Sequence, residues 1–353
     1  MFMSTADVAL RYHLTPSIGL GHAARARTLT SELQAKGARV EQVVPEAGKD
    51  LLIGRGMSGE SITVVESRAW VKLRQQVSHI VVDTLWNGNG FHTALEVHEL
   101  KIDTGARIVV IDSMPPDHFT TDKSQYEPDL LVTPYYRAEI ARTAPEHSEW
   151  LHGSKYAIIG TEFRDFINTP KDSCEHHRLL VCTGGSDADA LSLRIVKALI
   201  KLHVSDEMQI NIIIGPLYSE ALKQELSDLA SDRENFSLHW QPRSIAQLLH
   251  NATLITGRPG LIRYESACLG TPSLLLSADE RYRDYYDHFN ADGLAEIYFQ
   301  LDNSGETDFM NRLRDLLQAK PQINDTGCGV IDGLGTQRIA NAILSEPLRL
   351  EDI

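Results

Sequence analysis

Short apolar runs alternate with amphipathic stretches along most of this chain, and that alternation limits the folds open to it more than any other feature. The runs VALRYHL, RVEQVVP, SITVVE, HIVVDT, RIVVID and DLLVTP are bounded by Gly, Pro or Asp and read as buried strands. Between them lie segments such as AARARTLTSELQAKG, in which Ala26, Leu29, Thr30 and Leu33 share a face and Gly37 supplies a stop. Repeated strand–helix units of this kind build a parallel, doubly wound sheet. The pattern runs to about Phe163, breaks at the polar stretch RDFINTPKDSCEHHR, and resumes as LLVCTGG, INIIIGP, FSLHW, ATLITG, PSLLLS and AEIYF.

At 353 residues the chain is longer than the roughly 250 at which one core usually stops growing. The expected organisation is α/β, with two Rossmann-like domains facing a central cleft. They fall at residues 1–165 and 179–335, joined by a linker at 166–178 and followed by a C-terminal helix and acidic tail at 336–353.

Composition removes several classes of partner. With 34 basic and 48 acidic residues the formal charge is −14, which leaves no basic excess to neutralise nucleic-acid phosphates or an anionic membrane. No apolar run approaches the ~18 residues of a membrane span. The opening MFMSTADVALRYHL lacks a basic segment followed by a long apolar block, so a secretory signal is not expected. Cys174, Cys182, Cys268 and Cys328 are scattered and form no CxxC pair, the pattern of free thiols in a reducing cytoplasm.

Glycines cluster where the strands should end. The first half offers Gly19-Leu20-Gly21-His22; the second offers Thr183-Gly184-Gly185-Ser186-Asp187, Gly215-Pro216 and Gly257-Arg258-Pro259-Gly260. In an open parallel sheet this edge receives ligands, and glycine lets an anion such as a diphosphate approach main-chain amides at a helix start. Ordinary tight turns needing positive φ give the same spelling. No phosphate loop of the GxxxxGK[ST] type is present. The first turn departs from GxGxxG at Ala24, and Pro45-Glu46 is a poor acidic partner for a ribose diol. The segment SDADA (186–190) reads as a helix cap rather than a metal site.

His22 is placed at the amino end of the first helix, inside its positive field, with Arg25 one turn on. Both oppose a positive ring and leave an acceptor nitrogen able to take a proton. Helix capping or core packing is the alternative role for the same histidine.

The stretch IGLGHAARARTL resembles the G-x-G-H-x-x-R opening of the UDP-sugar hydrolase of pseudaminic acid biosynthesis and the related spore-coat polysaccharide proteins. Further segments are similar in order: HIVVDT and RIVVIDSMPPDH with strand-end Asp83 and Asp112, LHGSKYAIIGTEFRDF, LLVCTGGSDADALSLRIVKAL, and ATLITGRPGLIRYESACLGTPSLLL. The resemblance covers roughly residues 8–300. It implies the GT-B fold and a nucleoside-diphosphate sugar (UDP-linked) as ligand; no HExxH or clustered Asp-x-Asp motif suggests a metal, and no cofactor is expected. It implies His22 as general base. Asp83 and Asp112 end strands at the ligand edge, where they either orient His22 or bind sugar hydroxyls, with Asp83 set in the catalytic group, or only cap turns. On the ligand side it implies Gly19, Gly21, Arg25 and Asp112 toward the sugar, and Glu265 on the ribose. Main chain near Gly215 and from Gln241 to Ile245 would hold the base. Gly184, Gly185, Ser186 and the turn of Arg258, Pro259, Gly260 and Leu261 would hold the diphosphate.

Departures from the family pattern are Arg258, Arg263, Tyr264 and the run Asp279-Glu280-Arg281. Arg258 and Arg281 either meet extra negative charge on the ligand or form surface ion pairs, and Asp279 belongs to the same group. The aromatics of RYRDYYDHF sit at helical spacing, which fits packing or a cleft lining. Tyr135-Tyr136 admits the same two readings, and His176-His177 falls in the expected linker. The activity implied is metal-independent, inverting hydrolysis at the anomeric carbon. Transfer of the sugar to an acceptor hydroxyl by the same base, and non-catalytic sugar-nucleotide binding, are the alternatives.

Overall fold

The computed structural model describes residues 7–12, 14, 20–53, 62–64, 77–83, 93–112, 128–141, 146, 148–171, 177–202, 208–242, 244–300, 303–319 and 329–345. It divides into two compact units. The first gathers β1, residues His22–Ile158 and the segment from Leu334 onward; the second gathers Leu20, Gly21 and Ile159–Gly333.

The first unit is built on seven strands: β1 (Val8–Tyr12), β2 (Val40–Val44), β3 (Ile62–Val64), β4 (His79–Asp83), β5 (Arg107–Ile111), β6 (Leu130–Thr133) and β7 (Glu149–His152). Their order is β3-β2-β1-β4-β5-β6-β7, and every pairing is parallel. Parallel strands covered on both faces are buried throughout, as β1 and β2 are at every position, with Arg11, Glu41 and Gln42 as buried polar exceptions among apolar residues. Ala9, Val43, Ile80, Val82, Ile108, Val110 and Leu131 form one core with Leu100 of the helix Thr93–Thr104. The strand sequence reverses direction between β1 and β4, where Tyr12 pairs with Asp83. Such a reversal opens a crevice at the carboxyl ends of the two strands.

The second unit repeats the plan with six strands: β8 (Arg178–Cys182), β9 (Gln209–Ile214), β10 (Phe236–Trp240), β11 (Leu254–Gly257), β12 (Ser273–Ser277) and β13 (Glu296–Phe299). The order is β10-β9-β8-β11-β12-β13, again all parallel, with the reversal between β8 and β11. Leu191, Ile195 and Leu199 of the helix Leu191–Lys201 pack with Val181, Ile212 and Leu274, and Phe309 and Leu313 of the helix Asn303–Ala319 join the same core.

All six strands expected in each half are present, and β7 is added to the first. Its sequence, EWLH, is half-exposed and has no apolar run to announce it. It is recruited by pairing with β6 and by a hydrogen bond of 2.8 Å from the Trp150 indole to Thr133.

The units also divide elsewhere than at the expected boundaries. The short helix Arg164–Ile167 lies in the second unit, where Arg164 Nε donates to the Gly333 carbonyl at 2.9 Å. A four-residue helix is too short to show a period, so its segment looks like a linker in the sequence. The helix Gly335–Leu344 joins the first unit. Arg107 Nη1 donates to the carbonyls of Ala342 at 2.7 Å and Ser345 at 2.9 Å, capping that helix, while Nη2 reaches Glu149 at 3.0 Å. At its start, Gly335 lies so close to the Ala157 carbonyl that a Cβ would stand 2.3 Å from it.

Cys182 and Cys268 are buried; Cys174, Cys328 and His176 lie outside the described residues. No helix among the described residues is long and apolar enough to cross a membrane.

Candidate active site

In the first unit the expected residues converge at the strand reversal. His22 lies in the first turn of the helix Gly21–Ala35 and is 5% exposed. Asp83, the last residue of β4, is fully buried. Its Oδ1 stands 2.8 Å from His22 Nδ1. Arg25 grips the same carboxylate as a fork, Nε to Oδ2 at 3.1 Å and Nη2 to Oδ1 at 2.6 Å. Nη2 also stands 2.9 Å from His22 Nδ1.

These distances fix a proton on His22 Nδ1. An ionised carboxylate solely accepts, so Nδ1 must carry the hydrogen that points at Oδ1; without it, two acceptors would face each other. Arg25 Nη2 donates to Oδ1 and lies beside the ring edge without bonding it. In the neutral ring His22 Nε2, which makes no hydrogen bond to the described residues, is then the acceptor nitrogen. Burial pushes the Asp83 carboxyl up, but the Arg25 charge and the hydrogen bonds from His22 and Arg25 outweigh it and hold it below its ordinary value.

Two tyrosines extend this group. Tyr12, the last residue of β1, is buried, and burial followed by the Asp83 charge pushes its hydroxyl above the usual phenol range. Arg25 hydrogen-bonds the Tyr135 hydroxyl, which itself donates to the Asp112 main-chain carbonyl. Asp112 is buried just beyond β5. Tyr12 escaped the sequence reading although it ends the strand beside the reversal, which is the one signal that could have found it. Gly21 is exposed with open space around it, and Gly19 lies outside the described residues.

In the second unit three glycine turns meet at the carboxyl ends of the neighbouring strands β9, β8 and β11. Gly184 has φ +92° and faces open space. A Cβ on Gly215 would stand 2.5 Å from the carbonyls of Gly184 and Gly185, and one on Gly257 (φ +146°) would stand 1.8 Å from the Cys182 carbonyl. Glycine is therefore compulsory at 215 and 257, where main chain packs on main chain.

Asp187 takes the helix start that follows β8. Its buried carboxylate accepts from the amides of Leu191 and Ser192 at 3.0 and 2.9 Å and from the Ser192 hydroxyl at 2.5 Å. SDADA is a cap, and the first amides of that helix already have an anion. Ser186, beside it, is half-buried.

The turn after β11 is closed by a residue noted in the sequence only as a departure. Arg263 is buried and donates from Nη1 to the carbonyls of Pro259 and Gly260 at 2.7 and 2.6 Å. Its guanidinium lies over the rings of Tyr264, Tyr286 and Phe289 at 4.6, 5.1 and 5.5 Å. Tyr285, Tyr286 and Phe289 are buried, so packing accounts for the aromatic spacing there.

The remaining residues stand as follows. Leu261 precedes the helix Ile262–Cys268, which carries half-buried Glu265. Burial first, then the nearby Glu265 charge, raise the Cys182 thiol to about 12, against the opposing Gly184 amide. Gln241 is exposed with φ +42° at the end of β10, its amide on the Ile214 carbonyl at 2.9 Å, and Ile245 opens the next helix. Arg258 pairs with Asp189 and donates to the Leu276 carbonyl at 2.8 Å. Arg281 pairs with Asp279 at 2.5 Å. Both arginines thus have carboxylate partners within the second unit.

No protein-family model matches the chain. An uncharacterized protein of Methanocaldococcus jannaschii, MJ1062, is 26% identical over 147 residues, covering 40% of this chain and 29% of that protein. The match thus spans less than a third of the relative's length. Among solved structures, the S. aureus MnaA–UDP co-structure is similar with TM-score 0.62 at 12% identity, covering 96% of both chains. Acinetobacter baumannii MurG is similar with TM-score 0.57 at 17% identity, covering 96% of this chain and 99% of that one. The fold is GT-B. The UDP-GlcNAc 2-epimerase of Neisseria meningitidis bound to UDP-GlcNAc has the same architecture, with TM-score 0.53 at 13% identity over 96% of this chain and all of that one.

Proposed function

We propose that this protein binds a nucleoside-diphosphate sugar, UDP-linked, and hydrolyses it at the anomeric carbon with His22 as the general base. The observation that carries the reading is the His22–Asp83 pair at the strand reversal, with Nδ1 engaged and Nε2 left to accept a proton. Nε2 would take a proton from water as its oxygen attacks the anomeric carbon on the face opposite the diphosphate. The carbon–oxygen bond then breaks, its electron pair leaves on the diphosphate, and configuration inverts. The second unit's part in this reading is to receive that charge on main-chain amides around Gly184, Gly185 and the Gly257–Gly260 turn. Fixed amides stabilise developing charge without reorganising. Glu265 would take the ribose hydroxyls, and main chain near Gly215 and Gln241–Ile245 the base.

The deciding experiment has two stages. UDP-, CMP-, GDP- and TDP-linked sugars are screened for thermal stabilisation, because a ligand bound to the folded state raises the melting point by linkage. The stabilising donor is then incubated in water alone and free nucleotide is measured. Release that falls about 10²–10⁴-fold in His22→Ala fits loss of a general base. Near-normal release by that variant would refute the assignment. Binding without release in water, followed by release once an acceptor hydroxyl is supplied, would replace hydrolysis by sugar transfer.

A further inference from the structure

Arg25 stands in the sequence as a ligand contact, yet its guanidinium is turned to other groups. Three of its described partners are protein side chains: both oxygens of Asp83, at 3.1 and 2.6 Å, the Tyr135 hydroxyl, and the edge of His22 at 2.9 Å from Nδ1. We propose that Arg25 is a positioning residue: by holding both oxygens of Asp83 it fixes that carboxylate against His22 Nδ1 and leaves Nε2 as the ring's accepting nitrogen. The proposal rests on His22 being the base described above.

The physical case is one of degrees of freedom. Asp83 is buried with a single ring N–H as its other charge-relevant donor, so a carboxylate held only by His22 is free to rotate about its side-chain bonds. A planar fork with two parallel N–H···O bonds removes that rotation, which a point-charge ammonium cannot do. The groups facing this cluster come from every strand end around it. They are Tyr12 from β1 and Asp83 from β4, with the Asp112 carbonyl beyond β5 and the Tyr135 hydroxyl beyond β6. Tyr135 binds Arg25 on one side and donates to Asp112 on the other, so the fork is itself anchored to the sheet edge.

Two measurements test this. Nitrogen-15 NMR of histidine-labelled, substrate-free protein reads which ring nitrogen of His22 holds the proton, and steady-state kinetics separates kcat from KM. In the wild type the neutral ring is expected as a single tautomer protonated at Nδ1. Arg25→Met is expected to give a mixture of tautomers and to lower kcat about 10²-fold, the size of loss that follows a misplaced catalytic group, with KM within about twofold. Arg25→Lys keeps the charge and loses the fork; it shows the same two changes at smaller size, and it supplies the reading where Arg25→Met does not fold. A raised KM at unchanged kcat makes Arg25 a substrate contact and overturns the proposal. Wild-type behaviour of both variants on both measurements overturns it as well. Because the tautomer is read without substrate, a failure of His22 as base, seen as undiminished turnover in His22→Ala, stays separate from a failure of Arg25 as its positioner.

Discussion

Asp83 Oδ1 and His22 Nδ1 stand 2.8 Å apart across 61 residues of chain, brought together because β4 lies beside β1 where the strand order reverses. Asp83 is also the buried counter-charge of Arg25, whose side chain is 11% exposed. Asp83→Asn is therefore expected to destabilise the first unit by about 3–5 kcal/mol, the usual result of removing one partner from a buried ion pair. Urea unfolding monitored in that unit checks it, and a loss under 1 kcal/mol would show that water or Tyr135 takes over the arginine.

The same pair sets a pH dependence. The Asp83 carboxyl is held below its ordinary value in the folded state. A depressed carboxyl contributes stability that is fully present above the unfolded value of about 3.9 and is lost as pH falls through the folded value. Melting temperature followed from pH 6 downward should drop more steeply below about pH 4 in the wild type than in Asp83→Asn. Parallel curves would remove Asp83 from the acid limb.

Gly257 and Gly260 share one turn but respond differently to a methyl group. At Gly257 the Cβ would fall 1.8 Å from the Cys182 carbonyl, whereas at Gly260 nothing lies within 4 Å. Gly257→Ala should cost on the order of 3 kcal/mol through strain and broken β8–β11 pairing. Gly260→Ala should leave stability within about 0.5 kcal/mol. A weaker UDP affinity in Gly260→Ala, measured by calorimetry, would then report a ligand at the turn and not a loosened fold.

Arg107 caps the final helix through the carbonyls of Ala342 and Ser345. A cation at a helix carboxyl end is worth up to about 2 kcal/mol in partly buried geometry. Arg107→Met should lower stability by about 1–2 kcal/mol, with hydrogen exchange accelerated first in Gly335–Leu344. Uniform acceleration across the first unit would contradict a capping role.

Arg281 is 74% exposed in its pair with Asp279. Exposed pairs contribute about 0–1 kcal/mol, so Arg281→Ala should leave the melting temperature nearly unchanged. Any fall in affinity for a nucleotide sugar in that variant then measures contact with the ligand. Unchanged affinity in both Arg281→Ala and Arg258→Ala would confine these arginines to their pairs with Asp279 and Asp189.

The strands were legible because a parallel strand covered on both faces is mostly apolar, and LLVCTGG and HIVVDT are short apolar runs bounded by turn residues. β7 escaped because its half-exposed residues carry no such requirement. His22 and Asp83 could each be picked out, one at a helix start and the other at a strand end. Arg263 was visible only as an oddity, since its partners are main-chain carbonyls and rings whose nearness no periodicity encodes.

The amino-acid order by itself determined two doubly wound α/β sheets and placed glycines at their carboxyl edges, because backbone pairing, burial and turn conformation are local demands written in local residues. Tertiary structure alone decided that Arg25 holds Asp83, that Asp187 fills a helix start, and that the last helix returns to the first unit. Those outcomes depend on which distant groups satisfy one another's charge and hydrogen bonds once water is excluded.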